Sequence, residues 1–184
     1  MDEITIKTIF EVNDKLGWAI RAYEKIRKNK KDKYELQDNF WSYLSAFQQA
    51  WFYFSKLVQE LNPDLSKKKL SELSKTLIEE WKYEKLNDTE KTSWEILQKL
   101  RNDDTHRAPV NSNYVIKKHA LKTNSGKILT TNSGKILVGT SEKTIVLFEG
   151  KEHDIERLTS NGISAIRKLI NYMPLIKQKT GANN

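Results

Sequence analysis

The segment YELQDNFWSYLSAFQQAWFYFSKLVQEL, Tyr34 to Leu61, sets the architecture. Phe40, Leu44, Phe47, Trp51, Phe54, Val58 and Leu61 recur three or four residues apart, which is the spacing of one face of an α-helix. Trp41, Tyr43, Phe52 and Tyr53 widen that stripe beyond what a single neighbour can cover. The helix therefore either runs through the middle of a bundle or lends one side to a second chain. Asn62-Pro63-Asp64 ends it, because proline disfavours helix in the residue before it and suits the first turn of a helix after it.

Working outward, Ile9, Val12, Leu16, Ile20, Tyr23 and Ile26 outline a preceding helix from Ile4 to about Asn29. The run Arg27-Lys28-Asn29-Lys30-Lys31-Asp32-Lys33, five basic residues in seven, reads as the solvated connection between the two. A third helix follows from Leu65, with Leu70, Leu73, Leu77, Ile78 and Trp81 on its apolar face. Asn87-Asp88-Thr89-Glu90 caps a fourth that carries Trp94, Leu97 and Leu100. Arg101 falls on that same face one turn beyond Leu97 and is expected to approach the bundle. After Pro109 the texture turns to short β-type runs: Tyr114 to Leu121, Lys127 to Leu129, Lys135 to Val138 and Thr144 to Phe148. Within them Thr123-Asn124-Ser125-Gly126-Lys127-Ile128-Leu129 recurs eight residues later as Thr131-Asn132-Ser133-Gly134-Lys135-Ile136-Leu137. Two units are too few for a solenoid and read as a tandem duplication of one turn, prone to register slippage. From about Asp154 the helical spacing returns in Ile155, Leu158, Ile163, Ile166, Leu169 and Ile170, with Gly162 as a soft point and Pro174 as the stop. The expected fold is mainly α: an up-and-down bundle of four to five helices in a single domain, 1–184. Residues 110–150 form a small antiparallel β insertion before the last helix.

Composition narrows the chemistry. The 184 residues include no cysteine and three histidines, which excludes disulfides, thiol nucleophiles and thiolate metal sites and leaves no metal or cofactor expected. Thirty-two basic residues against 24 acidic give a net charge of +8, which favours polyanionic partners. The longest apolar runs are far short of a span and the first residues lack a secretion signal, so a cytoplasmic protein with no membrane partner is expected. His119 and His153 read as surface residues, since neither has a companion at ligand spacing.

The concentrated polar cluster is Leu100-Arg101-Asn102-Asp103-Asp104-Thr105-His106-Arg107-Ala108-Pro109. A guanidinium grips two phosphate oxygens through its planar fork, and an imidazole exchanges protons near neutral pH. Five residues on a helix separate two side chains by about 140°, so Arg101 and His106 reach one site only if the helix ends or bends between them. Thr105 and Pro109 suggest such a bend.

At the end of a helix in an aromatic-rich bundle, Arg101-Asn102 followed by His106 resembles the Arg-x4-6-His motif of the HEPN superfamily. The resemblance spans about Ile4 to Pro109 and the final helix, with the β segment as an insertion. It implies a helical homodimer that brings two motif copies to one groove, and a metal-independent endoribonuclease of toxin-like or antiphage-defence type. It further implies RNA and a cognate antitoxin or other defence-system component as partners. In that reading His106 is the acid or base, Arg101 holds the nonbridging oxygens, and Asn102 orients phosphate or imidazole. Arg107, Arg27, Lys28, Lys30 and Lys31 attract the RNA backbone. One HEPN subgroup adds a Tyr two places after the His; here that position is Ala108, so the likeness does not extend to members paired with a nucleotidyltransferase antitoxin.

Two other readings compete. Arg101 and His106 are then cations near the negative end of a helix, paired with Asp103 and Asp104. Alternatively the chain is a non-catalytic RNA- or protein-binding helical dimerisation module, suggested by its charge and by the broad aromatic face of the second helix.

Overall fold

Each helix start is written in a short polar side chain. In the computed structural model, which describes residues 1–106, 112–123, 125–131 and 133–180, with 103–106, 112 and 117–119 described by backbone alone, Asp2 accepts the Thr5 amide at 2.8 Å and opens α1 (Glu3–Lys28). Asp32 accepts the amides of Tyr34 and Glu35 and opens α2 (Lys33–Leu61). Ser66 caps α3 (Lys67–Lys85). Asn87 and Glu90 form a reciprocal capping box at the head of α4 (Asp88–His106): the Glu90 amide donates to Asn87 Oδ1 at 2.9 Å and the Asn87 amide donates to Glu90 Oε2 at 3.0 Å. Asp154 caps α5 (Ile155–Lys179).

The protein is mainly helical, with a small antiparallel sheet ahead of α5. The short turn at 29–32 makes α1 and α2 antiparallel neighbours packed along their length. Helix α2 takes the central position: it packs on α1, α3, α4 and α5 and touches the sheet, which accounts for the width of its apolar stripe. Its buried aromatics Phe40, Tyr43, Phe47 and Phe54 meet Trp94 of α4 and Trp81 of α3 in one core. Trp81 and Trp94 are fully buried, Trp51 is partly covered, and Trp18 and Trp41 are exposed.

Gly162 is a close-packing position, not a soft point. A Cβ there would overlap the Tyr43 hydroxyl and lie 2.7 Å from Leu97 Cδ1. The same hydroxyl donates to the Thr159 carbonyl at 2.9 Å inside the core, so α2, α4 and α5 converge on this glycine. Helix α5 also runs through Pro174, contrary to the stop expected from sequence. Tyr172, Met173 and Ile176 are buried on either side of it, and their burial outweighs the hydrogen bond that proline cannot donate. Lys179 then reaches Glu80 and Glu84 of α3 at 3.1 and 2.7 Å, pinning the last turn.

The sheet has the order β1-β2-β3, with β1 (Ser112–Ala120), β2 (Val138–Phe148) and β3 (Lys151–Asp154) all antiparallel. Thr144, Ile145, Val146 and Phe148 of β2 are buried. Strand β3 was not expected, because its Lys-Glu-His-Asp sequence has no apolar alternation; it is specified by the turn after Phe148 and by pairing with β2. The expected strands at 127–129 and 135–138 are single bridges closing two turns, Lys122 opposite Ile128 and Thr130 opposite Ile136, except that Val138 begins β2.

Candidate functional site

Gln98, Arg101 and Asn102 follow one another at i, i+3 and i+4 on α4, so they share a face. Together with Phe47, Gln48 and Trp51 of α2 they line a cleft of about 220 Å³. Its apolar wall is well supported, because Phe47 and Trp51 both meet the buried Trp94 edge-on, with ring centroids 4.6 and 6.5 Å away. Trp94 in turn rests on Trp81 at 4.8 Å. Seven residues before Gln48, and thus on nearly the same face of α2, stands Trp41, which is 40% exposed. The Arg101 guanidinium carbon lies 4.5 Å from the centre of the Trp41 ring. At that separation cation–π attraction contributes about 0.5–2 kcal/mol and fixes the direction of the guanidinium fork. As expected, Arg101 approaches the bundle; it is half-buried at the cleft's edge.

The expected end or bend of α4 between Arg101 and His106 is not present: the helix continues through His106. Helix geometry then sets position 106 about 140° around the axis from position 101 and about 40° from Asn102. Asn102 therefore lies between the two in angle. The side chains of Asp103, Asp104, Thr105 and His106, and the whole of Arg107, Ala108 and Pro109, lie outside the described residues. So does the side chain of His119. His153 is half-buried, with its ring 6.5 Å from that of Phe148.

The basic turn after α1 is more engaged than its sequence suggests. Arg27 reaches Glu156 of α5 at 3.6 Å, and Lys30 and Lys31 both reach Glu142 of β2, at 3.3 and 3.4 Å. These cations tie the α1–α2 turn to the sheet and to α5. Exposed pairs of this kind are weak, so they do not withdraw the charge from a passing polyanion. Lys28 is exposed beside them on a shallow groove.

No family model, curated protein or solved structure matches the chain. Function is therefore read from the site's own geometry. Among the described residues no cluster of His, Cys, Asp and Glu could hold a metal ion, and no helix is long and apolar enough to cross a membrane. Among the described residues that line the cleft, none is acidic. A planar cation, three carboxamides and an open indole are the donor set for a phosphate and an attached planar base. Sequence reading found Arg101 and Asn102 but not Trp41, Gln48 or Gln98 as their companions. The available signal was the seven-residue step from Tyr34 to Trp41 to Gln48, which leaves the core face of α2.

Proposed function

We propose that the chain is a metal-independent endoribonuclease of HEPN type, a toxin-like or antiphage-defence component working as a homodimer on RNA. The observation that carries this reading is the cleft lined by Arg101, Asn102, Gln48 and Gln98, with the Arg101 guanidinium held against the exposed Trp41 ring. The 2′-hydroxyl oxygen attacks its own phosphorus, and the bond from phosphorus to the 5′-oxygen breaks. The products are a 2′,3′-cyclic phosphate and a 5′-hydroxyl. Because α4 continues unbent from Arg101 to His106, positions 101 and 106 of one chain do not meet at one phosphate. In the homodimer the imidazole comes across the dyad, the second copy's His106 taking the hydroxyl proton or supplying one to the departing oxygen beside this copy's Arg101. Arg101 neutralises charge as it grows on the nonbridging oxygens, and Asn102, one turn from position 106, orients phosphate or imidazole. Trp41 stacks a flanking base, and Arg107, Lys28 and the neighbouring Arg27, Lys30 and Lys31 draw the backbone in.

Replacing His106 with Ala is expected to abolish cyclic-phosphate formation while leaving the melting temperature and the dimer intact; retained cleavage rejects the assignment. A second reading has an observation of its own. Tyr34, Trp41 and Phe52 are exposed within about 40° of one another on α2, which suits a non-catalytic RNA- or protein-binding dimerisation module. Salt-sensitive RNA binding without cleavage selects that reading.

A further inference from the structure

The duplicated Thr-Asn-Ser-Gly-Lys-Ile-Leu unit builds something that its two copies alone do not announce. Each copy closes its own five-residue turn: the Thr123 amide donates to the Lys127 carbonyl at 2.8 Å, and the Thr131 amide donates to the Lys135 carbonyl at 2.8 Å. Gly126 and Gly134 sit at φ +84° and +80°, a conformation open to glycine. The two turns and the end of the β1–β2 ladder at Ala120 opposite Val138 then meet at a closed ring of three backbone hydrogen bonds. The Leu129 amide donates to the Leu121 carbonyl at 2.8 Å, Leu137 to Leu129 at 2.9 Å, and Leu121 to Leu137 at 2.9 Å. The result is a three-leaf tip with approximate three-fold symmetry. Leu121, Leu129 and Leu137 hold equivalent places and are 38%, 37% and 39% exposed.

Every described residue from 121 to 138 is exposed, so nothing from the helical body covers this tip. It nonetheless exposes Leu121, Leu129 and Leu137 at equivalent places around the ring, together with Ile128, Ile136 and Val138. Three lysines, Lys122, Lys127 and Lys135, stand among them, and the chain has no Asp or Glu anywhere between Asp104 and Glu142.

We propose that this tip is a membrane-attachment device that inserts its aliphatic side chains into the surface of an anionic lipid bilayer while the lysines meet the headgroups. The unopposed positive charge favours an anionic occupant. The apolar groups are all aliphatic, which suits acyl chains and does not offer the aromatic or arginine platforms on which nucleic-acid bases stack. Snorkelling lysines around a small apolar projection match the layered polarity of a bilayer surface. The sequence expectation of no membrane partner rested on the lack of a spanning segment, and surface attachment needs none. This inference is independent of the proposed ribonuclease activity.

The test is co-sedimentation of the full chain with phosphatidylcholine vesicles prepared with and without phosphatidylglycerol. The expected result is salt-sensitive binding to the anionic vesicles only. Leu129→Asp/Leu137→Asp lowers partitioning by roughly tenfold or more, and Lys127→Gln/Lys135→Gln lowers it by about fivefold per lysine. Both leave the melting temperature unchanged, since the tip is outside the core; the lysine variant also leaves the backbone untouched and serves as the folding-safe probe. Absence of binding to anionic vesicles at low salt overturns the proposal. So does binding that the leucine and lysine variants leave unchanged, or a tip that binds RNA but not vesicles.

Discussion

Gly162→Ala is the sharpest probe of how α2, α4 and α5 are held together. In a helix open to solvent the change would stabilise by about 1 kcal/mol through helix propensity. Here the new methyl overlaps the Tyr43 hydroxyl and approaches Leu97 Cδ1 at 2.7 Å. Overpacking of a filled core costs about 1–3 kcal/mol. Moving the hydroxyl away from the buried Thr159 carbonyl, now 2.9 Å distant, costs about 1–3 kcal/mol more. The net expectation is a loss of about 1–5 kcal/mol, a fall of roughly 2–20 °C in melting temperature for a domain of this size. Tyr43→Phe removes the clashing oxygen at a cost of about 1 kcal/mol. In that background Gly162→Ala is expected to cost at least about 1 kcal/mol less, a coupling that chemical denaturation of the four-member cycle measures. A Gly162→Ala protein more stable than wild type, or a cycle with no coupling, would refute the close approach. Because Tyr43 and Leu97 neighbour Phe47 and Gln98, the same substitution loosens the candidate cleft.

Three further outcomes follow from individual contacts. Glu90 is buried between Lys168 at 2.6 Å, Ser164 at 2.7 Å and the Asn87 amide. Burial opposes its charge, but the hydrogen bonds from Lys168, the Asn87 amide and Ser164 prevail and hold the carboxyl below its usual range. A depressed folded pKa contributes stability that is present above the unfolded value of about 4.3 and is lost as pH falls through the folded one. Glu90→Gln is therefore expected to cost about 2 kcal/mol at neutral pH, with the gap to wild type narrowing below about pH 4 in melts recorded against pH. Pro174→Ala restores a helical hydrogen-bond donor at an exposed site and is expected to stabilise by about 1–3 kcal/mol in urea denaturation; a destabilised variant contradicts an unbroken α5. Trp41→Ala removes the exposed ring beside Arg101 and is expected to weaken single-stranded RNA binding by about 1–3 kcal/mol in anisotropy titrations, with Trp41→Phe intermediate.

The helices were legible because their signals are local. The three-to-four spacing of apolar residues, with the cap-rich Asn87-Asp88-Thr89-Glu90 ahead of α4, places all five within a few residues, and the structure adds the caps at Asp32 and Asp154. Pro174 misled because the burial of Met173 and Ile176 is a tertiary effect that local propensity does not contain. Strand β3 and the three-leaf tip escaped for a related reason: both are defined by partners distant in sequence, Lys151–Asp154 by β2 and the leucine ring by three segments at once. At the cleft, Arg101 and Asn102 stood out as a motif. Trp41 did not, since an aromatic on a helix reads as core until the neighbouring helices are seen to leave it uncovered.

Incubation of labelled RNA with wild type and with Arg101→Ala, both in the presence of a chelator, tests the cleft most directly. Wild type is expected to release 2′,3′-cyclic phosphate and 5′-hydroxyl ends, and the variant, folded and dimeric, to be slower by about 10²–10³-fold. Wild type that leaves the RNA intact, or an Arg101→Ala protein that cleaves at the wild-type rate, would contradict a catalytic role for the guanidinium at this site.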